Sequence, residues 1–279
     1  MPVLELPGGR ELAYETWGDP GGDPLLFNHG TGDSRLARHP DEALTRDAGV
    51  RLITVDRPGV GGSSRLHGRK LLDWPADVAL LADELGLDSF AVAGWSGGGP
   101  HALAIAHELG DRVSRIVLAS PLGPFDRPGA RDLVENDDLR MIWKLSHAKW
   151  LAGVAGRAES RLAVHDLHKF VASIADDAPS DADVLADPEL EPMFEEEMGE
   201  ALAQHGAGVL DDMWAFLDWG FAPEEIAQPT HLFLGDADEI LSPAMYRELG
   251  GRIPSCEVTE WEGGGHYALF HHWPELLAA

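Results

Sequence analysis

Short apolar runs alternate with longer amphipathic segments along the first 121 residues, and the alternation resumes after residue 227. The runs up to residue 119 lack the alternation of polar positions seen in half-exposed strands, which is typical of strands buried on both faces of a parallel sheet. This order predicts an α/β fold, in which a mostly parallel sheet is flanked by helices on both faces. The predicted strands are 25–27, 52–55, 90–93, 116–119, 231–234 and 256–261, and the predicted helices are 36–48, 74–85, 100–109 and 267–277.

Two segments depart from this alternation. Residues 4–6 and 12–17 have the pattern of an N-terminal β-hairpin. Residues 122–227 contain no convincing strand and predict helices over 141–151, 161–174 and 192–219. We therefore expect an α/β core of residues 1–121 and 228–279, with a helical cap inserted over residues 122–227. Pro274 is expected to kink the last helix or to split off its final turn.

The charge of the chain is strongly negative. Its 21 basic and 48 acidic side chains give 21 − 48 = −27, which argues against binding to nucleic acid or to an anionic membrane. Eleven acidic and no basic residues fall within 176–200, and this stretch is expected to face solvent. The single cysteine, Cys256, allows no intramolecular disulfide, and neither a leader nor a long apolar span is visible. These features predict a cytoplasmic protein with a small-molecule substrate.

The sequence Gly-Trp-Ser-Gly-Gly at 94–98 lies between a predicted strand and a predicted helix. A serine on so sharp a turn is held in a strained conformation with its hydroxyl exposed, and glycines on either side relieve the crowding. Ser96 is therefore the candidate nucleophile. The alternative is a glycine-rich connection that carries a serine by chance.

A serine hydroxyl needs a base within hydrogen-bond reach, and that base needs an acid to orient it. In parallel sheets the reactive groups gather at the carboxyl ends of the strands. Among the 13 histidines, His266 follows the last predicted strand, in a glycine-rich loop. The loop after the strand 231–234 offers Asp236, Asp238 and Glu239. Asp238 is preferred as the orienting acid because it lies far enough past the strand to turn towards His266, and Asp236 is the rival.

Two backbone amides are needed to receive the negative charge of a tetrahedral intermediate. Gly97, at the start of the helix after the nucleophile, is one expected donor. The loop Asn-His-Gly-Thr-Gly at 28–32 should supply the other, and Thr31 is the expected residue, while His29 is expected to brace the loop. No metal site is expected, because His165 and His168 lack a third ligand in the sequence.

Five segments occur in an order that is specific in combination. They are Asn-His-Gly-Thr at 28–31, Asp-Arg-Pro-Gly-Val-Gly-Gly-Ser-Ser at 56–64, Gly-Trp-Ser-Gly-Gly at 94–98, Gly-Asp-Ala-Asp at 235–238 and Gly-Gly-His at 264–266. With them the chain resembles the capped serine α/β-hydrolases, and is similar to bacterial esterases and relatives of proline iminopeptidases. The resemblance implies an eight-stranded sheet, a triad of Ser96, Asp238 and His266, an oxyanion hole of Thr31 and Gly97, and no cofactor.

These features predict a serine hydrolase acting on an ester, thioester or amide of a small to medium, largely apolar substrate. The same triad could instead serve C–C bond hydrolysis, cyclisation or perhydrolysis, and a third alternative is a non-catalytic ligand-binding protein on the same scaffold. The residues expected to line the substrate pocket are Trp95, Trp143, Trp214 and Phe216.

Overall fold

A computed structural model of the chain describes residues 1–134, 140, 144, 156, 157 and 160–279. Eight strands form one sheet in the order β1-β2-β4-β3-β5-β6-β7-β8. The strands β3 to β8 run parallel, and the β1–β2 and β2–β4 pairs are antiparallel. The predicted α/β fold and its N-terminal hairpin are confirmed. The strands are β1 (Val3–Leu6), β2 (Arg10–Gly18), β3 (Asp23–Asn28), β4 (Val50–Val55), β5 (Phe90–Trp95), β6 (Val113–Ala119), β7 (Thr230–Gly235) and β8 (Cys256–Trp261).

The helices of the described residues, numbered in chain order, cover both faces of the sheet. They are α1 (Glu42–Asp47), α2 (Trp74–Glu84), α3 (Gly98–Leu109), α4 (Leu167–Asp177), α5 (Ala182–Leu185), α6 (Glu191–Ala201), α7 (Ala207–Ala215), α8 (Pro243–Arg252) and α9 (Trp273–Ala278). Helices α4 to α7 lie between β6 and β7, within residues 122–227, which we call the inserted segment. None of the described helices is long and apolar enough to cross a bilayer.

Two helix predictions in the inserted segment are wrong in their bounds. The predicted helix 192–219 is two helices, because His205 and Gly206 adopt left-handed conformations with φ of 59° and 68°. The predicted helix 161–174 is interrupted, and Asp166 caps the new helix α4 by accepting a hydrogen bond from the Lys169 amide. The predicted helix 141–151 falls largely outside the described residues.

In the core, the predicted helix 36–48 is also too long, since α1 begins at Glu42. Pro40 disfavours helical geometry in the residue before it, and the Asp41 carboxylate caps the Ala43 amide instead. Helix α8 was not predicted. The last helix is divided as expected, but the break precedes Pro274, which lies in the first turn of α9.

The strand order reverses beside β3, since β4 lies on one side of this strand and β5 on the other. A reversal of this kind leaves a crevice at the carboxyl ends of the two strands, where ligands of α/β proteins bind. The loop 28–32 leaves β3 and the turn containing Ser96 leaves β5. The fold therefore brings both predicted catalytic segments to the same crevice.

Candidate active site

Ser96 occupies the sharp turn between β5 and α3. Its φ is 53°, a left-handed conformation that a non-glycine residue adopts only at a cost in backbone strain. The turn is fixed by a hydrogen bond from the Ser96 amide to the Ala119 carbonyl (3.0 Å) and by one from the Leu122 amide to the Ser96 carbonyl (2.9 Å). A Cβ on Gly94 would overlap the Gly98 carbonyl oxygen. The half-buried Ser96 is thus held in place by its backbone at the carboxyl end of the strand.

His266 and Asp238 lie together beyond the ends of β8 and β7. The His266 Nδ1 atom is 2.7 Å from Asp238 Oδ2, and both side chains are buried. The Asp238 Oδ1 atom accepts hydrogen bonds from the amides of Ile240 (2.8 Å) and Leu241 (2.9 Å), and the Tyr246 hydroxyl donates to Oδ2. Four donors therefore surround this one carboxylate.

The rival acid, Asp236, is exposed and accepts a hydrogen bond from the Gly263 amide at 2.7 Å. Of the two candidates, only Asp238 is within hydrogen-bond distance of the imidazole. Burial alone lowers the pKa of His266, but the carboxylates of Asp238 and Asp181 outweigh burial, and the net shift is upward. The site favours a proton on this imidazole, which a general base requires after it has taken one.

Gly97 and Thr31, the two predicted amide donors, lie against each other. A Cβ on Gly97 would overlap Thr31 Oγ1 and would lie 2.9 Å from Phe216 Cζ. The Thr31 hydroxyl oxygen is buried and has no hydrogen-bond partner among the described residues. Gly97 also precedes α3, where the free amides of a helix start attract negative charge. The loop after β3 and the turn after β5 thus meet at the two residues that were predicted to form the oxyanion hole.

The predicted pocket residues have different positions. Phe216 packs against Gly97 and its ring contacts that of His101, whereas Trp214 is half-buried. The expectation for Trp95 is wrong. Its indole packs against the ring of His266 and donates to the His266 carbonyl oxygen at 3.0 Å. Alternation along β5 places this side chain in the core cluster on one face of the sheet, whereas Phe216 belongs to the cluster on the other face. Trp143 lies outside the described residues.

Comparisons with known proteins agree with this architecture. The family model described as "alpha/beta hydrolase fold" matches residues 23–272. The chain belongs to the alpha/beta hydrolase family. A solved relative, bromoperoxidase from Bacillus anthracis, superposes with a TM-score of 0.75 at 22% identity, covering 99% of this chain and 97% of that one. At this identity the likeness shows the fold alone.

Curated relatives of this alpha/beta hydrolase have several names. The pimeloyl-[acyl-carrier protein] methyl ester esterase of Aromatoleum aromaticum is 29% identical over 91% of this chain and 94% of its own length. A non-heme chloroperoxidase of Streptomyces lividans is 33% identical over 44% of this chain and 46% of its own length. Some of the strongest matches, including the latter, span only 31% to 46% of the relative's length.

Several buried ionisable residues in this alpha/beta hydrolase were not predicted. Asp181 of the inserted segment accepts hydrogen bonds from the amides of His266 (2.8 Å) and Tyr267 (2.7 Å) and is fully buried. Burial raises the pKa of Asp181 to about 6. The prediction that the acidic stretch 176–200 faces solvent is thus wrong for Asp181, and also for Glu197, which is fully buried. The backbone amides after β8 and the loop after β3 give these two carboxyl groups partners that the local sequence does not reveal.

Glu197 forms a second contact between the inserted segment and the loop after β3. It accepts a hydrogen bond from the Ser34 amide at 2.9 Å and lies beside Asp33. Burial raises the pKa of Asp33 to about 6, and burial together with Asp33 raises the pKa of Glu197 well above its usual range. Two carboxyl groups this close cannot both ionise at low cost, and this repulsion adds to the effect of burial on the pKa of Glu197.

A third group lies at the surface of the inserted segment. The side chains of His168, Glu191 and Glu195 have ligand atoms within 4.8 Å of one another. The sequence showed no third ligand beside His165 and His168, and the fold brings Glu191 and Glu195 next to His168. His168 Nδ1 lies 3.0 Å from a carboxylate oxygen of each glutamate.

Proposed function

We propose that this chain is a serine hydrolase that cleaves an ester of a small to medium, largely apolar substrate through an acyl-enzyme on Ser96. The observation that carries the proposal is the buried His266–Asp238 pair, with 2.7 Å between Nδ1 and Oδ2, which follows parallel strands of the same sheet whose strand β5 ends at the strained serine. A thioester or an amide would react by the same steps. The esterase that aligns over 94% of its own length supports an ester.

The mechanism follows from the positions of the hydrogen bonds. Asp238 accepts the Nδ1 proton of His266, which leaves Nε2 as the base that takes the proton from the Ser96 hydroxyl. The serine oxygen attacks the substrate carbonyl, and the amides of Thr31 and Gly97 receive the charge on its oxygen. The imidazolium returns its proton to the leaving alcohol. Water, activated by the same imidazole, then releases the acid and restores Ser96.

We further propose that the inserted segment is a cap over the crevice, with residues 1–121 and 228–279 as the hydrolase core. Phe216, which follows α7, packs against Gly97 and supports an apolar wall on the substrate side. Such a wall excludes water from the reacting atoms and favours apolar acyl chains. No cationic side chain is required for such a substrate.

Perhydrolysis is the second candidate function. It would use the same acyl-enzyme, with hydrogen peroxide in place of water as the second nucleophile. The haloperoxidase names carried by several relatives support this alternative. It is distinguished by assaying peracid formation when an ester and hydrogen peroxide are supplied together.

Ser96→Ala tests the proposal on p-nitrophenyl esters of increasing chain length. Loss of the nucleophile should lower kcat by about 10⁴-fold or more, because the serine acts as a unit with its base. A fluorophosphonate probe should label the wild type at Ser96 and leave the variant unlabelled. A folded variant that retained more than about a tenth of the wild-type kcat would overturn the serine mechanism, and a wild type that the probe did not label would favour a non-catalytic binding protein.

A further inference from the structure

The Gly30 carbonyl oxygen lies in a loop and is contacted by two side chains, those of Arg57 and His29. Arg57 donates to it from Nη2 at 2.7 Å, and the same guanidinium donates from Nη1 to the His29 carbonyl oxygen. The Arg57 side chain is fully buried. A buried guanidinium therefore donates hydrogen bonds to two successive carbonyl groups of the segment that leads into Thr31.

The charge of Arg57 is balanced by the inserted segment. Asp212, in α7, is fully buried and accepts hydrogen bonds from Arg57 Nη2 (2.9 Å) and Nε (3.1 Å). Burial alone raises the pKa of Asp212, but Arg57 and Arg69 outweigh burial and hold it well below its usual range. The carboxylate stays ionised and fixes the orientation of the guanidinium fork.

His29 supplies a second donor to the same oxygen. Its Nε2 atom accepts a hydrogen bond from the Arg57 backbone amide at 3.4 Å, and its Nδ1 atom is 2.8 Å from the Gly30 carbonyl oxygen. Burial and the nearby Arg57 lower the pKa of His29 well below its usual range, so the ring is neutral. The proton must then be on Nδ1, which donates to Gly30.

The Gly30 carbonyl belongs to the same peptide unit as the Thr31 amide. In a trans peptide the C=O and N–H bonds point in opposite directions, so fixing the oxygen also fixes the direction of the N–H. A cation on the oxygen also draws electron density from the amide, which makes its N–H a stronger donor. The amide in question is the donor expected in the oxyanion hole.

We propose that Arg57 is a positioning residue that aims and polarises the Thr31 amide, and that Asp212 of the inserted segment holds Arg57 in place for this task. The inference rests on the proposed function for the catalytic role of Thr31. It gives a role to Arg57, which follows β4. It also makes the oxyanion hole depend on Asp212, which lies 155 positions further along the chain.

Arg57→Lys is the test variant, and Arg65→Lys is its matched control. Arg65 forms the neighbouring contact between core and inserted segment. It donates to Asp211 from Nε at 2.6 Å and from Nη2 at 2.9 Å, and these hydrogen bonds leave Gly30 untouched. Lysine keeps the charge at both positions, but the three N–H groups of its single nitrogen cannot reproduce the hydrogen bonds that the planar guanidinium of Arg57 makes to His29, Gly30 and Asp212. Thermal melting of both variants establishes that they fold.

The first readout is turnover of p-nitrophenyl butyrate. Loss of a whole oxyanion donor costs about 10²- to 10³-fold, so a misaligned donor should lower kcat by about 10- to 100-fold, with KM within about threefold of wild type. Arg65→Lys should stay within about twofold of the wild-type kcat. The inhibition constant of a trifluoromethyl ketone, which forms an oxyanion on Ser96, should rise in Arg57→Lys by the factor by which kcat/KM falls.

The second readout does not depend on turnover. The Thr31 amide proton should move upfield in Arg57→Lys and keep its resonance in Arg65→Lys, because only the former loses the guanidinium N–H that donates to the Gly30 carbonyl oxygen. If Arg57→Lys does not fold, His29→Ala removes the other donor to the same oxygen, and it should shift the same resonance and lower kcat by about 3- to 10-fold.

A kcat for Arg57→Lys within twofold of that for Arg65→Lys, or an unmoved Thr31 resonance, would overturn the inference. Activity that survives Ser96→Ala would instead overturn the proposed function, and the Thr31 resonance would still decide whether Arg57 polarises this amide.

Discussion

Exchanging Asp238 for asparagine should impair this hydrolase far more than the same exchange at Asp236. Both substitutions remove one negative charge from the same loop. Only Asp238 contacts His266, whereas Asp236 is exposed and accepts a hydrogen bond from the Gly263 amide. The pair of variants therefore separates the orienting hydrogen bond from the long-range effect of charge.

The magnitude follows from the donors around Asp238. The amides of Ile240 and Leu241 are fixed and both point at Oδ1, so the asparagine oxygen must take that place and its NH₂ group must face His266 Nδ1. Nδ1 then becomes an acceptor and the proton moves to Nε2, which can no longer accept the serine proton. Flipping the amide would leave two buried N–H groups without acceptors, at a cost of about 1–3 kcal/mol each.

The expected loss in kcat/KM is about 10⁴-fold for Asp238→Asn, equivalent to about 5.4 kcal/mol of transition-state stabilisation. Asp236→Asn should lie within about threefold of wild type, since its exposed hydrogen bond is replaceable by water. Both are measured on one p-nitrophenyl ester at saturating and limiting concentrations, with circular dichroism as a check on folding. A loss below about tenfold for Asp238→Asn, or a greater loss for Asp236→Asn, would refute the assignment of the acid.

Three further outcomes are expected. The kcat/KM of the wild type should rise with pH through a midpoint above the ordinary histidine value of about 6.5. The reason is that the pKa of His266 is raised and only its neutral form can accept the serine proton, so a midpoint below that value would contradict the role of His266 as the base. Phe216→Ala should shift the preferred acyl chain towards longer esters while fluorophosphonate labelling persists, and an unchanged chain-length profile would place the substrate elsewhere. The pKa of Asp181 is raised on folding from 3.8 to about 6, so its contribution to the unfolding free energy is most favourable below pH 4 and is lost as pH rises through 6. The unfolding free energy of the wild type, measured in urea, should fall by about 2 kcal/mol between pH 4 and pH 7, and this fall should be absent from Asp181→Asn. The control Asp183→Asn, at an exposed position, should behave as wild type.

The core of the fold was predictable because its signals are local. Apolar runs identified β3 to β7, the predicted strand 256–261 coincides with β8, and the glycines around Ser96 identified the turn between β5 and α3. The helices of the inserted segment were predicted in the right region but with wrong bounds. There the interruptions depend on single residues, such as His205 in a left-handed conformation, that resemble ordinary helix positions in sequence.

The candidate site residues at strand ends could also be predicted from the sequence, because their signals are local too. Ser96, Asp238 and His266 each follow a recognisable strand, and the rule that reactive groups gather at carboxyl ends selects them. Arg57 also follows a strand, β4, and this position is the signal that could have marked it. Its partner Asp212 had no such signal. A pairing across 155 residues is visible only once the chain is folded.

The inserted segment contributes to the site through buried carboxyl groups rather than through its surface. Asp181 holds the amides of His266 and Tyr267, Glu197 holds that of Ser34, and Asp212 holds Arg57. A buried carboxyl group is costly without its hydrogen-bond partners, and removing Asp212 would leave the buried charge of Arg57 without this carboxylate partner. Because these contacts link the inserted segment to the loops that carry the proposed catalytic groups, we expect the segment and the core to fold together.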